Sequence, residues 1–337
     1  MNGPAPLIAF CREALGLSAS TDISLVALEG RGSDRAYFRV EWRGGGSAIL
    51  VQYDARRTEN AHFADIALFL HDIHVPAPRV IRHDPAARLI LVEDLGDIDL
   101  WSLKDASWET RSILYRKTLV IVHRLHAFPL EAFPSSRVRL MDPFGPDLYR
   151  WEREYFRDHF VRDFCGLILE PSFGRELEEE LSRLAERVAG ARASLVHRDL
   201  QSQNVMIRDG EPFLIDFQGM RFGSLFYDLG SLLCDPYVHF SEDEDLGSLS
   251  FYYGLSKREQ DWAEFRDRFW EASVQRLMQA LGAYGFLGLD KGLTAYLEHV
   301  PAGLRNLARA AGHAASLRRL LELCERCRTA PAMTKAQ

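Results

Sequence analysis

Residues 194–228 read SLVHRDLQSQNVMIRDGEPFLIDFQGMRFGSLFYD. Apolar Leu195 and Val196 lead into His197-Arg198-Asp199, and Asn204 follows that Asp by five residues. Apolar Val205-Met206-Ile207, a turn at Asp209-Gly210 and apolar Phe213-Leu214-Ile215 then describe a hairpin that ends in Asp216. Phosphoryl transfer from a nucleotide needs a carboxylate to orient and deprotonate the acceptor hydroxyl. It also needs hard oxygen ligands for the magnesium ions that bridge the phosphates. H-R-D-x-x-x-x-N followed by an Asp at a strand end supplies these parts in the expected order. An isolated Asp in a polar loop reads as a cap or turn former. The whole set on one hairpin points to the chemistry.

A chain of 337 residues is long enough for two domains or one bilobal unit with a large core. Apolar residues make up 47% and charged residues 26%, the balance of an ordinary globular protein. The net charge of −7 provides no basic field for nucleic acid or an anionic membrane. The longest apolar runs, at 47–51 and 89–92, have strand length and are too short to span a bilayer. The opening MNGPAPLIAFCREALGL has neither a basic leader nor a long apolar segment, so no signal peptide is expected and a cytoplasmic location is. Five cysteines (Cys11, Cys165, Cys234, Cys324, Cys327) are few, scattered and odd in number, which favours reduced thiols over a disulfide framework. Cys324 and Cys327 read as two thiols on one helical face.

Upstream, a short helix is predicted at 7–17 and strands at 23–28 and 36–42. Between the strands lies Glu29-Gly30-Arg31-Gly32-Ser33-Asp34-Arg35. Alone this is a hairpin turn. Ahead of the 194–228 stretch it becomes a loop whose N–H groups can approach a phosphate closely. Gly30, Arg31, Gly32, Ser33 and Arg35 are therefore nucleotide-binding candidates, with Arg35 standing where a third glycine would complete G-x-G-x-x-G. A third strand is predicted at 47–53, where a lysine for the phosphates belongs; the strand carries Gln52 instead. A helix at 60–71 follows, with Glu59 and Asp65 left as surface or capping groups. After the extended link 75–78, a hairpin of 80–82 and 89–92 leads to Glu93-Asp94-Leu95-Gly96. Such a connection reaches the nucleotide base through backbone groups, which adds Glu93 and Leu95 to the nucleotide-binding candidates.

From Trp101 the pattern is helical. A core helix is predicted at 114–127, with His123 and His126 as packing residues. After a break at 143–146, an aromatic-rich amphipathic helix is predicted at 149–164 and a charged one at 175–189. The remainder to about 323 reads as helical, and the tail from 329 as frayed. The acidic run at 241–245 reads as a solvated loop.

With His197, Asp199, Asn204, a strand ending in Asp216 and Asp228 on a helix, the chain resembles the aminoglycoside-phosphotransferase family, the small-molecule branch of the protein-kinase-like fold. IDFQ at 215–218, YDLGSLLCDPY at 227–237, SDRAYFRV at 33–40, the missing strand lysine and the helical stretch 280–307 are similar, more narrowly, to the bacterial anomeric kinases of N-acetylmuramate and N-acetylglucosamine. The resemblance implies an α+β, bilobal fold. Residues 1–95 would form a small antiparallel-sheet N-lobe that binds nucleotide. Residues 96–337 would form a large, mainly helical C-lobe with the catalytic loop and acceptor-binding helices. It further implies ATP and Mg2+ as cofactors, Asp199 as general base, Asn204 and Asp216 as magnesium ligands, and His197 and Asp228 as braces of the catalytic loop.

Only ten residues separate Gln218 from Asp228, little room for a peptide-docking segment, which favours a small-molecule acceptor. Resemblance implies the anomeric hydroxyl of an amino sugar. An uncharged pyranose needs hydrogen bonds near the catalytic loop, and Gln218, Asp235, Tyr237 and Glu154 are the substrate-binding candidates. Asp235 reads equally well as a cap before Pro236. Two other readings stay open. One is a kinase of an amino alcohol or aminoglycoside, for which the acidic run would provide a cage. The other is a nucleotide-binding pseudokinase, favoured by the absent lysine and opposed by the base and both metal ligands. Neither nucleic acid nor membrane is an expected partner.

Overall fold

Helix α1 (Pro4–Ala14) precedes five strands, β1 (Ile23–Leu28), β2 (Ala36–Trp42), β3 (Gly46–Gln52), β4 (Val80–Asp84) and β5 (Leu89–Glu93). All pairings are antiparallel, in the order β1-β2-β3-β5-β4. The computed structural model describes residues 4–28, 35–54, 57–256, 261–314 and 316–335. Gly30, Arg31, Gly32 and Ser33 lie outside the described residues. Side chains alternate across a strand, so apolar residues two apart share a face. Val40, Leu50, Leu89 and Leu91 pack on Leu7, Phe10 and Cys11 of α1, while Val51, Tyr53, Ile90 and Val92 line the opposite face. Helix α2 (Phe63–Asp72) crosses from the sheet toward the C-terminal lobe, and its Phe63 ring lies 4.7 Å from that of Phe217.

The connection after β5 is tied on both sides. The Glu93 N–H donates to Arg79 O at 2.9 Å, and the Glu93 carboxylate pairs with Arg208 at 2.7 Å. Arg39 of β2 reaches Asp94 at 2.8 Å.

The rest of the described chain is mainly helical. Helix α3 (Trp108–His126) starts six residues before the stretch predicted from apolar spacing, because Ser107 caps it by accepting from the Thr110 N–H. The predicted helix at 149–164 changes register midway. It is α-helical over α4 (Pro146–Tyr155) and π-helical over Phe156–Phe164, where Phe156, Phe160 and Phe164 stack in sequence. Helix α5 (Pro171–Ala189) leads to four short strands: β6 (Ala193–Val196), β7 (Val205–Arg208), β8 (Glu211–Leu214) and β9 (Arg221–Ser224). The predicted hairpin is β7–β8, and β6 pairs with β9, a strand the sequence reading does not contain.

Helices α6 (Leu225–Leu233), α7 (Glu242–Leu255), α8 (Trp262–Gly285), α9 (Val300–His313), α10 (Arg318–Arg328) and α11 (Pro331–Lys335) complete the lobe. Helix α8 is its axis, and Ala272 to Gly282 is buried without interruption. At Gly285 the backbone of α8 presses on the His159 carbonyl so closely that a Cβ has no room.

The acidic run is not a solvated loop. Ser241 accepts from the Glu244 N–H and the Glu244 carboxylate accepts from the Ser241 N–H at 2.8 Å, a reciprocal cap that starts α7. Asp245 turns inward to pair with Arg309. Cys324 and Cys327 are buried on α10 as free thiols. Among the described residues no helix is long and apolar enough to cross a membrane.

Candidate active site

Strand β6 delivers His197 into a loop that is held from three directions. The Asp228 carboxylate, fully buried in the first turn of α6, accepts from the His197 N–H at 2.6 Å and the Arg198 N–H at 2.8 Å. It also accepts from His126 Nε2 at 3.0 Å, while Tyr252 donates to His126 Nδ1 at 2.8 Å. The His197 ring bonds the Ile215 carbonyl at 2.9 Å, which fixes the loop against the residue before Asp216. Asp235, also fully buried, accepts from the Ser202 N–H at 2.7 Å and the Tyr237 N–H at 3.0 Å.

Three successive features then place the reacting groups. Arg198 takes a left-handed backbone (φ 79°), and Asp199 follows with its carboxylate 23% exposed. Arg198 Nη1 lies 2.6 Å from Asp199 Oδ2, and Arg276 of α8 lies 3.7 Å from Oδ1. Burial alone would raise this carboxyl; Arg198 and Arg276 outweigh it and hold Asp199 below the usual carboxylate range. Asn204 Nδ2 donates to the Asp199 carbonyl at 2.8 Å, a bond that does not use its Oδ1. Asp216 has φ 60°, a left-handed turn that brings its carboxylate out of the hairpin. Its Oδ1 receives Gln218 Nε2 at 2.8 Å and Arg35 Nη2 at 2.9 Å.

Two hard oxygen donors, one of them already drawing a cation, suit magnesium. Asn204 Oδ1 and Asp216 are the residues that would hold it, and the ion would supply charge neutralisation for the phosphates. Asn204→Ala and Asp216→Ala are each expected to move the magnesium midpoint of activity to several-fold higher concentration as well as to lower turnover. Magnesium titrations with unchanged midpoints in both variants would contradict that placement.

The substrate candidates separate. Gln218 is buried and committed to Asp216. Each Asp235 oxygen accepts from a backbone N–H, as the capping reading expects, and the side chain is fully buried. Tyr237 is buried, with its ring 4.2 Å from that of His299. Glu154 is exposed on α4. Its neighbour Glu152 is the carboxylate that turns inward, accepting from Tyr227 at 2.7 Å and Gln275 at 2.8 Å. Glu93 is held by Arg208, and Leu95 is buried. A cavity of about 460 Å3 borders the 236–240 segment, lined by Tyr237, Phe240, Lys104, Arg305, Asn306 and Arg309.

The structure brings His126 and Arg276 to the site; the sequence reading contains His126 only as a packing residue and does not contain Arg276. No local signal marks them, since they lie 102 and 77 positions from the groups they touch, Asp228 and Asp199. The His126 position could be found only by asking what a buried Asp228 needs as a third donor.

The description of a phosphotransferase enzyme family matches residues 24–287. An N-acetylmuramate/N-acetylglucosamine kinase of Pseudomonas putida is 25% identical over 308 residues, covering 89% of this chain and 87% of the relative. Its namesake in Neisseria meningitidis is 23% identical over 295 residues, with 86% of each chain covered. Among solved structures, a choline/ethanolamine kinase family protein from Mesorhizobium loti has a TM-score of 0.61 at 15% identity, covering 94% of this chain and 99% of its own. The APH(2")-IIa chain of a ternary complex with streptomycin and ATP has a TM-score of 0.59 at 14% identity, covering 86% and 92%. The fold is the protein-kinase-like one.

Proposed function

The chain belongs to the phosphotransferase enzyme family, and we propose that it transfers the γ-phosphoryl group of ATP to the anomeric hydroxyl of an amino sugar, N-acetylmuramate or N-acetylglucosamine, giving the sugar 1-phosphate. The observation that carries this is the setting of Asp199 between two guanidinium groups. A carboxylate held below its usual range is ionised throughout the neutral range and is a weak base. An anomeric hydroxyl is more acidic than an ordinary sugar alcohol, so it asks least of such a base. The names of the relatives support an amino-sugar acceptor.

In this reading Asp199 accepts the hydroxyl proton as the acceptor oxygen bonds to phosphorus and the bond to the leaving diphosphate oxygen breaks. Arg198 and Arg276 orient the carboxylate and keep it charged before transfer. Asp228, His126 and Asp235 hold the loop so that the base does not move. The 236–240 cavity, with Tyr237 on its wall, falls within the size range of small-molecule sites, but Arg198, Asp199, Asn204 and Asp216 do not line it. Magnesium, when bound, neutralises the phosphates, and Asn204 and Asp216 are its proposed ligands. Glu93 and Leu95 are proposed to meet the nucleotide base through their backbone.

A cationic amino alcohol or aminoglycoside fits less well. Arg198 and Arg276 beside the base repel it, and two of the four acids in the run that would cage it are engaged elsewhere, Glu244 in capping α7 and Asp245 with Arg309. The test compares the free sugar with its 1-O-methyl glycoside, which keeps every hydroxyl except the anomeric one. Phosphorylation of the free sugar alone is expected; equal turnover of both would place attack at another hydroxyl.

A further inference from the structure

We infer that Arg35 replaces the missing strand lysine by exchange: its guanidinium neutralises Asp216 until magnesium nucleotide arrives, and then serves the phosphates. This rests on the ATP-dependent reading above and concerns the same site. Ala36 pairs with Gln52 across β2 and β3, so Arg35 enters the sheet beside the strand end that lacks the lysine. Gln52 is uncharged, and its Oε1 is buried without a partner among the described residues. The cation has moved one strand over.

The contact that Arg35 makes is with a proposed metal ligand. Its Nη2 lies 2.9 Å from Asp216 Oδ1, at 12% exposure, on the oxygen to which Gln218 also donates. With both donors on Oδ1, a metal ion at this carboxylate is left with Oδ2 and must sit beside a guanidinium whose charge opposes it. Gln218 is two residues from Asp216 and buried in the same turn, whereas Arg35 crosses from the sheet on a long stem. Arg35 is the donor able to go. Once released, its planar fork matches phosphate oxygens, and it carries the charge that Gln52 does not. Asp216 is thereby kept neutralised in the resting protein, and no positive charge is stranded beside the metal when the site fills.

The exchange predicts effects of opposite sign. Calorimetry of ADP binding at saturating magnesium is expected to show a loss of roughly ten- to a hundred-fold for Arg35→Ala, the range of one charge-assisted hydrogen bond. Manganese binding to the nucleotide-free protein, read by electron paramagnetic resonance, is expected to tighten several-fold in the same variant because the competing cation is gone. Arg35→Lys is expected to recover part of the ADP affinity. Unchanged ADP affinity, or manganese binding that is unchanged or weaker, overturns the exchange. Should Arg35→Ala not fold, Arg35→Lys carries the test, and ADP affinity equal to wild type overturns it. A wild type that binds neither ADP nor ATP overturns the kinase reading itself, a result distinct from nucleotide binding that ignores Arg35.

Discussion

Replacing Asp199 by Asn is expected to lower kcat by roughly 10²–10⁴, the usual contribution of a positioned general base. The substitution keeps the side chain's shape and one oxygen for Arg198, so the loop should stay in place. Nucleotide affinity is expected to change little, because the carboxylate faces the two arginines and the acceptor side. ADP titration and steady-state kinetics separate the two quantities. A variant with more than a tenth of wild-type kcat would remove Asp199 as the base. In the wild type, Arg198 and Arg276 hold this carboxyl low. The acid limb of kcat/KM is therefore expected below the ordinary carboxylate range. The ion pairs themselves contribute stability above the unfolded-chain value that is lost as pH falls through the depressed one.

Asp228→Ala is expected to be the most destabilising single change at the site, by about 3–5 kcal/mol. Removing this carboxylate leaves two backbone N–H groups and His126 Nε2 without their acceptor in a place that water does not reach. Asp228→Asn should be milder in stability, since one oxygen remains, yet its amide would face a donor with a donor. Urea unfolding monitored by tryptophan fluorescence measures both. An Asp228→Ala protein within 1 kcal/mol of wild type would mean that the loop holds itself.

Most of the structure from His197 to Asp216 was legible because the groups of this candidate loop are neighbours in sequence. Asp199 and Asn204 lie just before one hairpin and Asp216 just after it, and the apolar runs of that hairpin show strand character without reference to the rest of the chain. The five sheet strands were legible for the same reason. Strand β9 was not. It has four residues, follows directly on the Asp216 turn, and exists because β6, already placed, offers it a partner. Glu152 and Glu154 are indistinguishable by residue type two positions apart, and the helix phase that buries one depends on where α8 crosses α4. Arg276 is hidden by a different effect. In a helix buried all round, a charged residue looks like an error in the pattern until the carboxylate that meets it is known. The cap at Ser241 carries a local signal, Ser-x-x-Glu ahead of a helix, which the sequence reading passed over for the charge run in which it sits.

The burial of α8 bears on how acceptor preference could be altered by directed evolution. Arg276 and Gln275, which reach Asp199 and Glu152, are carried on a stretch with no solvent-facing position from Ala272 to Gly282. Libraries randomised there would be consumed by unfolded clones, because each change of volume must be absorbed by close-packed neighbours on every side. The exposed Arg305 on α9 and Lys104 before α3 border the cavity without that constraint. Variation confined to such exposed positions would be drawn from a population that still folds.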